Sequence, residues 1–167
     1  MAIAWLNGVS AQDIKKAMAS FQGAKRRFDF WIRRDDLVMI DDYAHHPDEL
    51  KASILSIREL YPNKKISVIF QPHLYTRTRD FADQFAKALS LADELMLLEI
   101  YPAREEPIPG VTSKIIFDQV TCRNKELCSK EILLETIKQR NFEVLITLGA
   151  GDIDRMLPEI RDVLNSK

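Results

Sequence analysis

Leu37-Val38-Met39-Ile40, then Asp41-Asp42-Tyr43-Ala44-His45-His46, then Pro47 to Tyr61, then Ile66-Ser67-Val68-Ile69-Phe70: this stretch decides the fold. Its two short apolar runs read as buried strands. Between them the spacing changes to that of a helix. Pro47 suits a first helical position, where its absent N–H is not needed. Asp48 and Glu49 suit the positive end of the helix dipole. Leu50, Ile54, Ile57 and Tyr61 recur at helical spacing, and Tyr61-Pro62-Asn63 ends the segment. Strand, helix and strand in succession argue for an α/β fold.

Working outward, the same alternation continues. Upstream, Phe28–Ile32 pairs with Leu37–Ile40 as a hairpin around Arg33-Arg34-Asp35-Asp36. A helix is expected over Ser10–Phe21, with Ser10 and Asp13 as its capping box and Ile14, Ala17, Met18 and Phe21 on one face. Gly23 is its stop. Downstream, helices are expected over Asp80–Leu91 (Phe81, Phe85 and Leu89 inward), Thr112–Val120, Glu131–Arg140 (Ile132, Leu133 and Ile137 on one face) and Asp152–Leu164, with Pro158 as a blemish. Strands are expected over Leu95–Ile100, Glu126–Cys128 (a short edge) and Val144–Leu148. The sum is a Rossmann-like α/β domain: a mostly parallel sheet with helices on both faces, preceded by a short β-hairpin.

Composition narrows the function classes. The 167 residues make one domain, or one and a fragment, and 46% hydrophobic residues suffice for a core. Basic and acidic residues number 24 and 25, so a nucleic-acid surface is not indicated. Cys122 and Cys128 are too few for a disulfide framework and lack zinc-type spacing, which points to thiols in a reducing compartment. No apolar run reaches membrane-spanning length, and Met1–Asn7 is too short for a secretory signal. A cytoplasmic location is the default expectation, with neither nucleic acid nor membrane as partner.

In a parallel sheet, ligands bind beyond the carboxyl ends of the strands. The segments that follow the strands here are polar: Asp41–His46, Gln71–Arg79, Tyr101–Glu106 and Gly149–Asp152. All three histidines lie in the first two. His46 stands where it can cap the Pro47 helix. That helix start also suits a phosphate, and Asp41 and Asp42 suit ribose hydroxyls; capping and turn formation explain the same residues equally well. A metal held by His45, His46, His73 and an aspartate is disfavoured, because neighbouring histidines rarely aim at one ion. Arg77 and Arg79 offer forks for a carboxylate or phosphate, or they merely solvate a loop. Arg26-Arg27 and Gly149-Ala150-Gly151 each allow a ligand contact or a structural role. There is no G-x-x-x-x-G-K-[ST] loop and no G-x-S-x-G elbow, so the clusters look like half of a site.

Five ordered segments now carry a resemblance. They are Gly23-Ala24-Lys25-Arg26-Arg27-Phe28-Asp29, Asp41 through Glu49, Phe70 through Thr78, Tyr101 through Ile108 and Gly149 through Ile153. Together they resemble the C-terminal domain of the Mur ligase family, in its alanine-adding branch. The tripeptide-recycling branch shares the Asp-Asp-aromatic-Ala-His-His-Pro type of motif but resembles the Phe70–Thr78 stretch less. Residues 23–167 match this domain, and residues 1–22 resemble the last helix of the ATPase domain that precedes it. Leu74 stands where relatives often carry a basic residue, so it is left out of the site.

The resemblance implies an ATP-dependent ligase of three domains that joins L-alanine to UDP-N-acetylmuramate through an acyl phosphate, in peptidoglycan precursor synthesis. ATP and magnesium are then held mainly by the central domain, and the sugar nucleotide by the N-terminal one. This domain closes over both and is inactive alone. Arg27 is implied to reach the nucleotide, Asp41 or Asp42 the ribose, and Tyr43 and His46 the nucleoside. His73 and Arg77 are implied to hold the incoming alanine and act as the catalytic pair, with Tyr75 shaping the pocket. No protein-bound metal is expected within this domain. The reading from a different class is a stand-alone nucleotide- or anion-binding module without catalysis.

Overall fold

The computed structural model of the chain describes residues 1–21 and 23–167. Strand β1 (Asp29–Arg33) pairs antiparallel with β2 (Val38–Asp42), giving the expected hairpin. β3 (Ile66–Phe70), β4 (Glu94–Leu97), β5 (Asn124–Leu127) and β6 (Val144–Leu148) run parallel to β2. The spatial order is β1-β2-β6-β3-β4-β5. The last strand in sequence is therefore inserted between the second and third.

Both faces of the sheet are covered. Val38, Ile40, Val68, Phe70, Leu95, Leu97 and Ile146 face α3 (Pro47–Leu60), α5 (Ala82–Leu89) and α6 (Lys114–Phe117). Met39, Ile69, Met96 and Leu145 face α7 (Lys130–Lys138) and α8 (Leu157–Asn165). Burial on both sides is why these strands read as unbroken apolar runs rather than alternating ones. Helix α3 begins as its sequence requires. Glu49 accepts the N–H groups of His45 (2.9 Å) and His46 (3.1 Å), and Leu50, Ile54 and Ile57 are fully buried.

Several boundaries differ from the periodicity. The expected Asp80–Leu91 helix is two helices, α4 (Tyr75–Asp80) and α5, which meet at Phe81 outside helical geometry (φ −119°, ψ 17°). Thr112–Val120 is helical only over α6, with turns on either side. β4 ends at Leu97, before the expected Ile100, and β5 begins earlier than expected. Ile132 is exposed, so the inward face of α7 is Leu133 and Ile137. The final helix opens as a 3-10 turn, Asp152–Met156, and Pro158 sits in the first turn of α8, where its absent N–H costs nothing.

The N-terminal segment holds α1 (Ala2–Leu6), which the periodicity does not suggest, and α2 (Ala11–Ser20). Ser10 caps α2 by accepting the Asp13 N–H at 3.1 Å. Neither helix buries any residue: Ile3, Trp5, Leu6, Met18 and Phe21 are all exposed. The expected division between residues 22 and 23 falls on Gln22, which lies outside the described residues. Among the described residues no helix is long and apolar enough to cross a membrane.

Candidate functional site

The topology marks one place on the sheet edge. After β2 and β3 the chain turns to the α3 and α5 face, whereas after β6 it turns to the α8 face. The loop after β6 therefore parts from the two loops that flank it, which is where such sheets open a crevice. The polar segments read from the sequence meet there in two clusters.

The first cluster is built around Arg26. A left-handed backbone (φ 58°) turns it back towards the sheet. Its guanidinium donates to Gly149 O at 2.6 Å and to the Asp41 carboxylate at 3.3 Å, lies 3.6 Å from Asp154, and covers the Tyr43 ring at 4.9 Å. Asp41 is fully buried and accepts the Thr147 hydroxyl at 2.6 Å from the paired position on β6. Burial pushes the Asp41 carboxyl above its ordinary range, with Thr147 and Arg26 working against that rise. Asp42 accepts the Ala44 N–H and the Ser53 hydroxyl, each at 3.0 Å. Both aspartates thus already serve the scaffold. Arg27, the arginine assigned to the nucleotide, is exposed beside them.

Gly149-Ala150-Gly151 is a packing device. A Cβ on Gly149 (φ 137°) would lie 2.5 Å from Gln71 O. A Cβ on Gly151 would lie 2.3 Å from Gln71 Oε1 and 2.8 Å from Tyr101 Cβ. Buried Gln71 accepts the Ile153 N–H (3.0 Å) and donates to Asp152 (2.8 Å), tying β3 to the start of the 3-10 turn. Lys130 pairs with that same aspartate at 2.8 Å.

The second cluster is a row of rings. Tyr43 meets His45 edge-on at 5.2 Å, His45 meets His73 at 6.2 Å, and His73 stacks on Tyr101 at 5.8 Å. Arg77 lies 3.3 Å from His73 Nδ1. Because arginine can only donate, Nδ1 accepts and the neutral imidazole carries its proton on Nε2. Burial, then the Arg77 charge, then His45 hold the His73 pKa below its ordinary value. His73, Tyr75 and Arg77 are all half-buried and open towards solvent at this edge. Tyr75 also lines a cavity of about 610 Å³ with Ile100, Val111, Leu127 and Cys128.

His46 stands apart from the row. Its Nδ1 accepts the Asp48 N–H at 3.4 Å and its ring meets Phe81 at 5.0 Å, so its visible work is capping α3. The structure thus links Tyr43, through His45, to His73 and Arg77, sets Tyr75 in the wall of the cavity, gives His46 a capping role and leaves Arg27 exposed. Sequence reasoning weighed Arg26 and His45 but left both out of the assigned site. An adjacent pair of arginines or histidines carries no signal for which one turns inward. Among the described residues no group of three or more His, Cys, Asp or Glu could hold a metal.

The chain is similar to known proteins over nearly all of its length. The family described as Mur ligase, glutamate ligase domain, matches residues 26–153. A UDP-N-acetylmuramate–L-alanine ligase from Parabacteroides distasonis is 61% identical over 164 residues, 98% of this chain and 36% of the relative. The enzyme of that name from Phocaeicola vulgatus is 56% identical over 168 residues, 100% of this chain and 37% of the relative. The chain therefore spans a little over a third of the length of these relatives. The crystal structure of a UDP-N-acetylmuramate–alanine ligase from Thermotoga maritima superposes with a TM-score of 0.75 at 29% identity, over 99% of this chain and 36% of that one. A murein peptide ligase from Psychrobacter arcticus gives 0.69 at 18% identity, over 99% of this chain and 35% of that one, a likeness of fold alone.

Proposed function

The chain belongs to the Mur ligase family, and from that membership we propose that it is the C-terminal domain of an ATP-dependent ligase joining L-alanine to UDP-N-acetylmuramate. The observation that carries this is the His73–Arg77 pair at the carboxyl end of β3, half-buried and joined at 3.3 Å. One arginine N–H is spent on the histidine. The remaining N–H groups form a fork that matches a carboxylate. The names of the most similar relatives supply the substrate.

In this reading Arg77 grips the alanine carboxylate and so directs the amine. Nε2–H of His73 faces developing negative charge at the acyl carbon, and the lowered pKa keeps the ring neutral near pH 7. Bound ATP supplies the phosphoryl group that activates the sugar carboxylate. Arg27 and the exposed ring of Tyr43 are the groups available to the nucleotide. Asp42 is nearer solvent than Asp41, so it is the aspartate able to touch a ribose directly; Asp41 acts through Arg26. ATP and magnesium are assigned mainly to the length of the protein outside this chain. The unburied helices α1 and α2 present apolar residues suited to packing against that part. The chemistry is chiefly positioning and electrostatics, so a domain that closes late can set the rate.

The test is Arg77→Ala in the full-length protein. The expected result is an alanine KM raised roughly a hundred-fold, the scale of a lost charge-assisted fork, with the sugar-nucleotide KM little changed. An unchanged alanine KM would remove Arg77 from the role.

A further inference from the structure

The segment Tyr101–Glu106, which follows β4, is clasped to α4 at two points. At the first, Tyr101 N–H donates to Pro72 O (2.8 Å) and Leu74 N–H donates to Tyr101 O (2.9 Å), which lays the Tyr101 ring on His73. At the second, one Glu105 oxygen accepts the Thr76 N–H at 2.9 Å and the other accepts the Thr76 hydroxyl. Those Thr76 bonds hold the Glu105 carboxyl below its ordinary range. Between the two points Leu74 takes a left-handed backbone, φ 72°, which a leucine adopts only when its surroundings impose it.

Helix α4 needs such an outside hold. It has six residues and no side-chain cap at its start. Its own contribution is the Thr78 hydroxyl bonded back to Leu74 O at 2.8 Å. Yet this helix carries Arg77 and sets it one turn from His73. We propose that Glu105 is a positioning residue for the amino-acid subsite: by gripping both polar groups of Thr76, it fixes the turn of α4 that aims Arg77 at the substrate carboxylate. Both its oxygens accept from Thr76, so its hold on the site runs through α4. This inference rests on Arg77 holding the substrate carboxylate.

The experiment measures KM and kcat for L-alanine, and KM for ATP, in the full-length protein. Glu105→Ala is expected to raise the alanine KM about ten-fold, the effect of one lost charge-assisted bond on a positioning element. Its kcat at saturating alanine and its ATP KM should stay within about two-fold of the parent. Glu105→Gln, whose amide oxygen still accepts one Thr76 bond, should fall between. Thr76→Ser keeps both bonds and should match the parent. Glu105→Ala combined with Thr76→Val should be no worse than either alone. An unchanged alanine KM in Glu105→Ala, a loss confined to kcat, or an additive double variant overturns the proposal. Arg77→Ala in the same series separates the two claims. If it spares the alanine KM, the subsite reading itself fails; if it raises that KM while Glu105→Ala does not, only the positioning role of Glu105 fails.

Discussion

Two polar clusters share one edge of the sheet and differ in how far their bonding capacity is used. Around Arg26, the guanidinium meets Asp41, Gly149 O and Asp154, and Asp41 is closed off from solvent by Thr147 and the arginine. Around Arg77, among the described residues, one contact to His73 is made and the rest of the fork is open. The contrast separates an arginine that builds the domain from the one we propose for a ligand. A saturated, buried cluster holds strands together, whereas an unsaturated, half-buried one at a strand end has donors to give.

The largest test of this contrast is Asp41→Ala. It leaves Arg26 and Thr147 without their shared partner in a largely buried place. We expect a loss of about 3 kcal/mol, the cost of breaking a buried pair from one side, measured by urea unfolding of this chain. Arg77→Ala, by contrast, should move stability by less than about 1 kcal/mol. Equal losses would erase the distinction between the clusters. Next in size is Gly149→Ala, where the new Cβ meets backbone oxygen at a φ that alanine avoids. A loss of about 2 kcal/mol is expected, again from urea unfolding; a neutral result would mean that the β6 turn is looser than its contacts with Gln71 indicate.

The smallest effect is a pH dependence at His73. Its folded pKa lies below the ordinary 6.5, so the unfolded chain takes up this proton first. The stability linked to His73 is therefore full above 6.5 and declines as pH falls through the window between 6.5 and the lowered value. A ring-proton NMR titration should show His73 titrating below 6.5, and Arg77→Ala should move it upward by removing a neighbouring positive charge. A titration at 6.5 or above would place the ring in a wetter setting than its contacts with Tyr101 and Arg77 imply.

Much of the fold was legible because the central strands are buried on both faces and stand out as apolar runs. Helix α3 was legible because proline, acids and a three-to-four spacing all mark it. The strand order was not, since nothing in Val144–Leu148 says that it inserts between β2 and β3. The break at Phe81 was hidden because α4 is held in part from outside, by the Glu105 bonds to Thr76, which local spacing does not show. The site was half legible. Tyr43, His73 and Arg77 were readable from strand ends and from the resemblance. Arg26 against Arg27 was not, because the choice depends on a left-handed backbone at Arg26. Likewise the spacing does not show that His45 joins the ring row while His46 caps a helix.

We propose that this domain supplies the alanine end of a ligase site and is silent alone. The direct measurement is phosphate release with ATP, magnesium, UDP-N-acetylmuramate and L-alanine, by this chain alone and then mixed with a fragment carrying the remaining length of the protein. Release only in the mixture, and only with alanine present, is the expected result. Silence in the mixture, with both pieces folded, would contradict it and leave a non-catalytic nucleotide- or anion-binding module as the better account.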